Sequence, residues 1–442
     1  MRIGLYGGVA NNMYVFAHAL ARCGEDVLFI RDRADRYPFS QPSWEDAAWT
    51  LSYDEMNRAA SWPWQEWTRR ETEVSWRAPR WLFDPLDAPT GGDVPMRADV
   101  GWFNRLLLRR LARRWPHWPA ALEAMARCDA LVACGIEGAL LAWISGKPFL
   151  IWPHGGDIRL AAGLQPPASR QPVRLMAHVL LRRLLRRAYG SALAVGSHDP
   201  SGVGVHLGDP IERLGLARFE RVPVPLPIRA RADRPERRRR LEALLGELGI
   251  AVPQAEVIAL VPSRIDFQWK RQDRLLRALT RASGRKRLHI IVCGWGRDYE
   301  AARRMAPPES VTFLPFAVSK PLLYRLFESV DLVIDQFILG IYGTSVAEAM
   351  SCGTPVLTWI NTPLWQTRGW DPPPVLNAVE ESEIAEILRR IAEGNIDLEE
   401  HGQTTLEWAS RVHGERVVVP RIVELLSEGC MRSEIQDVTC RS

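Results

Sequence analysis

One segment, residues 335–357, constrains the fold of this chain more than any other part of the sequence. It follows a short apolar run and contains a glycine-rich loop, residues 340–345, before a helical pattern that holds Glu348. A Gly-Thr-Pro turn at residues 353–355 then leads into another apolar run. This order predicts strand, loop, helix and strand, the repeating unit of a doubly wound α/β domain. Backbone N–H groups at such a helix start suit a phosphate or another anion.

The same alternation of apolar runs and helical patterns occurs on both sides of a proline-punctuated linker and arginine run at residues 222–240. With 442 residues, the chain has room for two domains of about 200 residues each. The fold class is therefore α/β, and we place the domain boundary between residues 225 and 226. The predicted strands are residues 2–6, 27–30, 130–134, 148–152 and 192–195 in the first domain, and 257–262, 288–293, 311–314 and 332–334 in the second.

The alternation is lost in about residues 40–120, where seven tryptophans lie between Trp44 and Trp81 and prolines interrupt regular elements. We interpret this region as an insertion in the N-terminal domain with its own packing. Its aromatic side chains suit either the binding of a sugar or lipid acceptor or the packing of a core.

Residues 335–357 resemble the donor-site segment of the GT-B glycosyltransferases, specifically their retaining family 4 (glycosyl transferases group 1), and the resemblance covers most of residues 250–360. It implies two Rossmann-like domains that face each other across a cleft. Residues 1–225 are then the acceptor-side domain, and residues 226–405 bind the nucleotide-sugar. Residues 406–442 supply a last helix that crosses back to the N-terminal domain, and a tail. The family has two glutamates separated by seven residues, whereas Gly340 occupies the first position here.

When a sugar is transferred from a nucleotide-sugar, the leaving group is the nucleoside diphosphate. Negative charge therefore accumulates on phosphate oxygens in the transition state and needs stabilisation. The chain has no Asp-x-Asp triplet to hold a metal, so we expect a metal-independent enzyme that uses protein cations. Arg264 follows a predicted strand and Lys270 precedes the next helix. The resemblance assigns both residues to the diphosphate. The alternative is that Arg264 and Lys270 are an ordinary solvated pair in a loop.

The resemblance also assigns donor-binding roles within the glycine loop. Glu348 would accept hydrogen bonds from both ribose hydroxyls, which matches its two acceptor oxygens, although a carboxylate near a helix start also stabilises the helix dipole. Asp335 or Gln336 would compensate for Gly340. The remaining predicted donor-binding residues are Gly294 in a Gly-Trp-Gly turn, and Tyr342, Gly343, Thr344 and Ser345, which line the pyrophosphate and sugar mostly through backbone N–H groups.

Four residues of the first domain complete the predicted site. Gly7 and Gly8, in the first strand–helix turn, would approach the phosphates or the acceptor, or would simply form a tight turn. His154 ends a buried strand within Pro-His-Gly-Gly-Asp, where active-site residues of open α/β sheets collect, and Asp157 is its polar neighbour. We predict a catalytic role for His154 and Asp157, without a covalent nucleophile.

Charge is distributed unevenly along the chain. Residues 101–228 carry a net charge of +9, against +5 for the whole protein. Two arginine-rich amphipathic patterns lie there, at residues 106–115 and 173–188, and Leu106 is assigned to the apolar face of the first. These helices either pack on a core with a solvated arginine face or dock on an anionic membrane. No nucleic-acid recognition motif accompanies the basic residues, so we expect no nucleic-acid partner.

The seven scattered cysteines and an N-terminus that enters a strand directly, without a signal peptide, predict a cytoplasmic protein that is at most peripheral on the inner face of the membrane. No dinucleotide fingerprint occurs, and we expect no cofactor besides the nucleotide-sugar donor itself.

The predicted function is transfer of a hexose, with retention, to an unidentified glycan, lipid-linked or small-molecule acceptor. Alternatives are a nucleotide-sugar 2-epimerase on the same fold and a non-catalytic protein that only binds a nucleotide or glycan.

Overall fold

The computed structural model describes residues 1–87, 101–113, 115–201, 209–281 and 287–439. The strands, numbered along the chain, are β1 (Arg2–Tyr6), β2 (Asp26–Ile30), β3 (Thr50–Ser52), β4 (Leu82–Phe83), β5 (Ala130–Cys134), β6 (Phe149–Trp152), β7 (Ala194–Ser197), β8 (Phe219–Arg221), β9 (Val257–Val261), β10 (Leu288–Val292), β11 (Val311–Phe313), β12 (Phe316–Val318), β13 (Leu332–Ile334), β14 (Val356–Thr358) and β15 (Leu376–Asn377).

The α-helices, numbered in the same way, are α1 (Asn12–Arg22), α2 (Pro42–Asp46), α3 (Tyr53–Arg58), α4 (Trp64–Glu73), α5 (Trp102–Ala112), α6 (Trp118–Ala126), α7 (Gly135–Ser145), α8 (Gly156–Ala162), α9 (Pro172–Ser191), α10 (Pro210–Leu214), α11 (Arg234–Glu247), α12 (Gln272–Arg281), α13 (Tyr299–Met305), α14 (Lys320–Phe327), α15 (Thr344–Ser351), α16 (Thr362–Thr367), α17 (Glu381–Ala392), α18 (Leu398–His413) and α19 (Glu415–Thr439). Short 3₁₀ helices cover Val9–Asn11, Pro38–Ser40 and Ala59–Ser61.

The chain packs as two compact units. Unit 1 contains residues 1–42, 78–225 and 415–442, and unit 2 contains residues 43–77 and 226–414. The chain passes from unit 1 to unit 2 between Pro225 and Leu226, within the proline-punctuated segment. The arginine run after it is not part of the linker, because it forms the beginning of α11, which Asp233 caps.

Unit 1 contains a parallel sheet of seven described strands in the order β4-β2-β1-β5-β6-β7-β8. Strand β2 pairs with β1 on one side, and β5 pairs with β1 on the other side, so the order of the strands reverses at β1. Helices pack on this sheet, and a continuous apolar core includes Trp118, Leu140 and Ile151. Such a reversal of strand order defines a switch point. In open α/β sheets, ligands bind at this point, just beyond the carboxyl ends of the strands.

Unit 2 contains a second parallel sheet, with six described strands in the order β11-β10-β9-β13-β14-β15. Its central strands are short apolar runs buried on both faces, as helices on both sides of a parallel sheet require. The switch point lies between β9 and β13. Two doubly wound α/β sheets in one chain confirm the predicted fold class of two Rossmann-like domains.

The tryptophan-rich insertion lies elsewhere than predicted. Residues 43–77 belong to unit 2, although the sequence suggested an insertion in the N-terminal domain. Strand β3 pairs antiparallel with β12, with Leu51 opposite Ala317. At the end of this ladder, the Trp49 N–H donates to Ser319 Oγ at 2.9 Å, and the Ser319 N–H donates to the Trp49 carbonyl at 3.0 Å. Local sequence patterns carry no signal for a pairing between strands so distant in the chain.

Aromatic packing holds this segment within unit 2. Trp67 is fully buried, with ring centroids 5.0 Å from Trp62 and 6.2 Å from Trp49. Tyr53 stacks on Tyr299 at 4.8 Å. The tryptophans at the centre of the segment therefore form a core, one of the two roles that the sequence left open.

The C-terminal region also divides differently from the prediction. A break at Gly414 separates α18, in unit 2, from α19, in unit 1, so the return to unit 1 begins at residue 415 and not at 406. Helix α19 contacts α1, β5 and β6. Within the described residues, no helix is both long and apolar enough to span a membrane.

Removing a central ring should loosen each unit separately. We expect Trp67→Ala to lower stability by about 3–5 kcal/mol, because the change leaves a cavity in unit 2. Hydrogen exchange should then accelerate in β12 and leave β5 unchanged. The matched control is Trp118→Ala, an equally buried ring in unit 1. It should accelerate exchange in β5 and spare β12. Faster exchange in β5 with Trp67→Ala would contradict this division.

Candidate functional site

The switch point of unit 2 joins two loops through an ion pair. Lys270, in the loop after β9, donates from Nζ to Asp335 Oδ1 at 2.9 Å and Oδ2 at 3.1 Å, and Asp335 directly follows β13. The Phe337 N–H donates to the Lys270 carbonyl at 2.9 Å. An ammonium group has three N–H donors, so the carboxylate leaves capacity for a further anion.

The loop after β9 is fixed by its own polar groups, and Arg264 extends from it. Gln272 accepts the Asp266 N–H at 3.1 Å and donates to the Arg264 carbonyl at 2.9 Å. The Arg264 side chain is exposed, and its Nε lies 3.8 Å from Asp266 Oδ2. The structure therefore places Arg264 and Lys270 on one ordered loop, with the guanidinium accessible to a ligand.

Helix α15 begins with an open N-terminus at the same edge of the sheet. Gly343 is its N-cap, no side chain caps the helix there, and no atom lies within 4 Å of where a Cβ on Gly343 would stand. Thr344 and Ser345 form the half-buried first turn. The positive end of the helix dipole therefore faces a space that a phosphate could occupy.

The Tyr342 side chain is part of the core of unit 2 and does not line the candidate site. Its ring is fully buried, stacks on Trp365 at 5.5 Å, and its hydroxyl lies 2.9 Å from His413 Nε2. Only the Tyr342 backbone is left to face a ligand. The side chain instead anchors the loop to the core of unit 2.

Glu348 is buried, and both of its carboxylate oxygens are bonded to one lysine. Lys320 Nζ donates to them at 2.6 and 2.7 Å. Burial raises the pKa of Glu348, against the opposing effect of the Lys320 charge. Burial lowers the pKa of Lys320, but the charges of Glu348 and Glu45 outweigh it, so the pKa is raised and the ammonium stays charged. The sequence analysis missed Lys320, whose only signal was its rarity among 53 arginines.

Asp335 and Gln336, the suggested substitutes for the missing glutamate, are both engaged in other hydrogen bonds. Asp335 is committed to Lys270, as described above. Gln336 donates to the carbonyls of Ile341 at 2.6 Å and Trp359 at 3.1 Å. Its amide oxygen accepts backbone N–H groups of the following turn. Both side chains hold the loop in shape, and Gly340 at φ +69° adopts the left-handed conformation that glycine favours.

Gly294 packs against protein backbone. A Cβ there would lie 2.0 Å from the Leu314 carbonyl oxygen, and one on Gly296 would lie 2.4 Å from the Ile265 N atom. The close approach of neighbouring backbone explains both glycines without any ligand.

In unit 1, Gly7 and Gly8 form the tight turn after β1. Gly7 has φ +138°, and a Cβ there would lie 2.7 Å from the Cys134 carbonyl oxygen. The Gly8 N–H donates to Asp32 Oδ2 at 3.2 Å. A carboxylate therefore already occupies the donor that the sequence analysis offered to a phosphate or an acceptor.

A buried polar network that sequence analysis missed lies beside this turn. Glu137 Oε2 accepts from the Tyr6 hydroxyl at 3.1 Å and from Trp118 Nε1 at 3.1 Å, and lies 3.2 Å from His117 Nε2. Side-chain atoms of Asp32, His117 and Glu137 lie within 4.8 Å of one another. Burial, and then the charge of Glu137, raises the pKa of Asp32 to about 6. The network is satisfied by protein donors, which explains it without a metal ion.

His154 and Asp157 are neighbours, but not through their side chains. Asp157 is buried, and its Oδ1 accepts the backbone N–H groups of His154 and Ile158, both at 2.9 Å. It therefore shapes the Pro-His-Gly-Gly-Asp turn, while the His154 side chain is exposed. Both residues line a cavity of about 450 Å³ in unit 1, whose other walls include Asp32, Asp35 and Glu137.

The architecture and the site define the class. Two doubly wound α/β domains in one chain are the architecture of the GT-B fold. Residues 256–363 match the family model described as "Glycosyl transferases group 1", and this span includes Arg264, Lys270, Lys320 and Glu348. No curated protein sequence matches the chain significantly.

Solved structures share this fold over nearly the whole chain. The chain is similar to Anabaena HepE, solved in complex with UDP-glucose, with a TM-score of 0.57 and 17% identity over 97% of this chain and all of HepE. It is also similar to sucrose-phosphate synthase from Thermosynechococcus elongatus, with a TM-score of 0.56 and 14% identity over 97% of this chain and 98% of that one. At these identities, the similarity establishes the fold.

The Lys320–Glu348 pair gives a stability prediction. We expect Lys320→Met to lower the free energy of unfolding by about 3–5 kcal/mol, because it leaves a buried carboxylate without a counter-charge. Adding Glu348→Gln should recover most of the loss. The control is Arg325→Met on the same helix, whose exposed pair with Glu247 should contribute about 0–1 kcal/mol. Urea denaturation measures all four proteins, and equal losses for Lys320→Met and Arg325→Met would refute the assignment.

Asp32 gives a pH prediction. Because its pKa rises from 3.8 to about 6 on folding, its contribution to stability is fully present below pH 3.8 and is lost as the pH rises through about 6. The change is about 3 kcal/mol. Carboxyl ¹³C titration should show one aspartate midpoint near pH 6 that disappears in Asp32→Asn. The midpoint should persist in the control Asp26→Asn, which changes an exposed aspartate at the start of β2.

Proposed function

We propose that this protein is a metal-independent glycosyltransferase that transfers a hexose from a nucleotide-diphosphate sugar with retention of configuration. The observation that carries the proposal is the convergence, at the unit 2 switch point, of Lys270, Arg264 and the uncapped start of α15. All three favour a diphosphate, and all three lie within the span that matches the family model.

The chemistry requires stabilisation of charge more than a nucleophile. As the bond from the anomeric carbon to the phosphate oxygen breaks, negative charge collects on the diphosphate, where the two cations and the helix dipole stabilise it. Retention without a covalent intermediate needs the acceptor to attack from the face that the leaving group vacates. The leaving phosphate then takes the acceptor proton, and the protein contributes positioning.

Glu348 is the proposed ribose ligand, with Lys320 as the residue that positions it. Each carboxylate oxygen has two lone pairs, so an oxygen bonded to Lys320 retains one acceptor site for a ribose hydroxyl. A fixed carboxylate loses less conformational entropy on binding than a mobile one does.

For the acceptor, we propose the cavity of unit 1. Carboxylates of Asp32, Asp35, Glu137 and Asp157 contribute to its walls, and none of the described residues that line it is lysine or arginine. Such a lining favours hydroxyl groups or an amine over a phosphate. We therefore propose that the acceptor lies beside the Gly7–Gly8 turn, whose neighbour Val9 lines this cavity, and that His154 approaches an acceptor hydroxyl. The reaction is proposed to occur in the cytoplasm.

One observation favours a second candidate, a protein that binds the nucleotide-sugar without turning it over. Gly340 replaces a family glutamate, and Asp335 and Gln336 are engaged elsewhere in the loop. Turnover therefore has to be tested separately from binding.

Nucleotide binding is the first test. Calorimetry with UDP, GDP, ADP, dTDP and CMP should show binding of one diphosphate, and Arg264→Ala should weaken it about 10- to 100-fold through loss of a charged hydrogen bond. Arg297→Ala is the matched control, since Arg297 is an exposed arginine whose Nη2 donates to Asp266 at 2.9 Å. Equal effects of the two substitutions, or no binding by the wild type, would refute the donor site.

Turnover distinguishes the candidates. Because HepE was solved with UDP-glucose, UDP-glucose is the first donor to supply, with mixed saccharide acceptors and EDTA present. Acceptor-dependent release of UDP, with an α-linked product by NMR, supports a retaining transferase. Interconversion of the sugar without acceptor indicates an epimerase, and binding without either reaction indicates the second candidate.

A further inference from the structure

An exposed apolar surface lies on two helices of unit 1. On α9, the first half of the helix presents Val173, Leu175, Met176 and Val179 to solvent, and Val173 is 75% exposed. On α5, Trp102 is 78% and Leu106 60% exposed. The sequence assigned Leu106 to the apolar face of this helix without deciding between a core and a membrane, and the structure leaves Leu106 exposed. We call these six residues, together with Arg182, Arg183, Arg186 and Arg187 of α9, the α5–α9 surface.

The four arginines of this surface have no acidic partner among the residues that the structure describes. Arg182, Arg183, Arg186 and Arg187 on α9 form no salt bridge with any carboxylate in the described parts of the chain. The arginine-rich helix α11 contrasts with this, because its arginines pair with Glu236, Glu242, Asp331 and Glu399. The positive charge of the α5–α9 surface is therefore uncompensated, in agreement with the net charge of +9 in residues 101–228.

A cavity opens within this surface. It has a volume of about 590 Å³, and its lining includes Trp102, Asn104, Trp143, Arg183 and Arg187. The two arginines are four residues apart on α9 and so lie on one face of the helix. Asn104 is buried, and its Oδ1 has no hydrogen-bond partner. The cavity thus combines two guanidinium groups for a phosphate with an unsatisfied acceptor for a hydroxyl.

Apolar side chains beside uncompensated arginines fit a lipid surface better than other acidic partners. Nucleic acid offers phosphate but gives no reason to expose four aliphatic side chains at a helix end. An interfacial helix buries such side chains at the boundary between headgroups and acyl chains, while arginines bind anionic headgroups.

We propose that the α5–α9 surface docks the protein on an anionic phospholipid membrane. A headgroup phosphate is bound by Arg183 and Arg187 in the cavity, and the aliphatic side chains at the start of α9 enter the interface. The inference does not depend on the proposed transferase activity.

Vesicle sedimentation tests this surface with the full-length protein. The wild type should bind vesicles of phosphatidylcholine mixed with phosphatidylglycerol, more weakly at high salt, and should bind little to phosphatidylcholine alone. Arg183→Gln/Arg187→Gln should weaken binding about 30-fold, given about 1 kcal/mol for each arginine. Val173→Ser/Met176→Ser should weaken it about tenfold or more, because the serines gain less from entering the interface.

The matched control is Arg239→Gln/Arg240→Gln, which removes the same charge from exposed positions on α11 and should change binding less than about twofold. Equal losses in the control and the α9 variants would overturn the proposal, since net charge alone would then explain binding. Wild-type protein that ignores anionic vesicles but binds a DNA duplex would also overturn it. Circular dichroism and nucleotide calorimetry on each variant establish that folding and the donor site are intact.

Discussion

The ion pair between Lys270 and Asp335 is the interaction on which the candidate donor site depends. It bridges the two loops that the strand order of unit 2 brings together, so the position of the basic loop is fixed relative to the start of α15. A buried pair of this kind adds little net stability, because desolvation offsets most of the attraction. Its value is geometric, since a cation held in place before the ligand arrives needs no reorganisation when charge develops.

Lys320 and Glu348 form a second ion pair between a lysine and a buried carboxylate in unit 2. The chain has only four lysines, and two of them are committed to buried carboxylates at this edge of the sheet. Nearly all of the other basic side chains in the protein are arginines. A lysine presents a compact charge that fits beside one carboxylate, whereas a guanidinium needs room for a planar fork. In both pairs, a single ammonium group bonds both oxygens of the carboxylate.

The sequence predicted features that depend on local pattern and failed where distant contacts decide. Strands such as β5 and β13 agree residue for residue, because a buried parallel strand is an uninterrupted apolar run. The motif around Glu348 located an edge of the sheet, but not the lysine that occupies its carboxylate 28 residues away in the chain. Likewise, Gly8 was recognised as a turn, while the carboxylate of Asp32 that accepts its N–H belongs to the next strand's loop. The pattern assigned Leu106 to the apolar face of its helix, and only tertiary packing shows that this side chain is exposed.

The partition of the chain has a consequence for its synthesis. The polypeptide passes between the two units four times, and hydrogen bonds join residues 49 and 319, which are 270 positions apart. Residues 43–77 therefore leave the ribosome long before their partner strand exists. Unit 1, in turn, lacks α19 until all of unit 2 has been synthesised. Until residues 316–318 have been made, the tryptophans of residues 43–77 lack the strand that pairs with their segment, and transiently exposed apolar surface of this kind is what chaperones shield in growing multidomain chains.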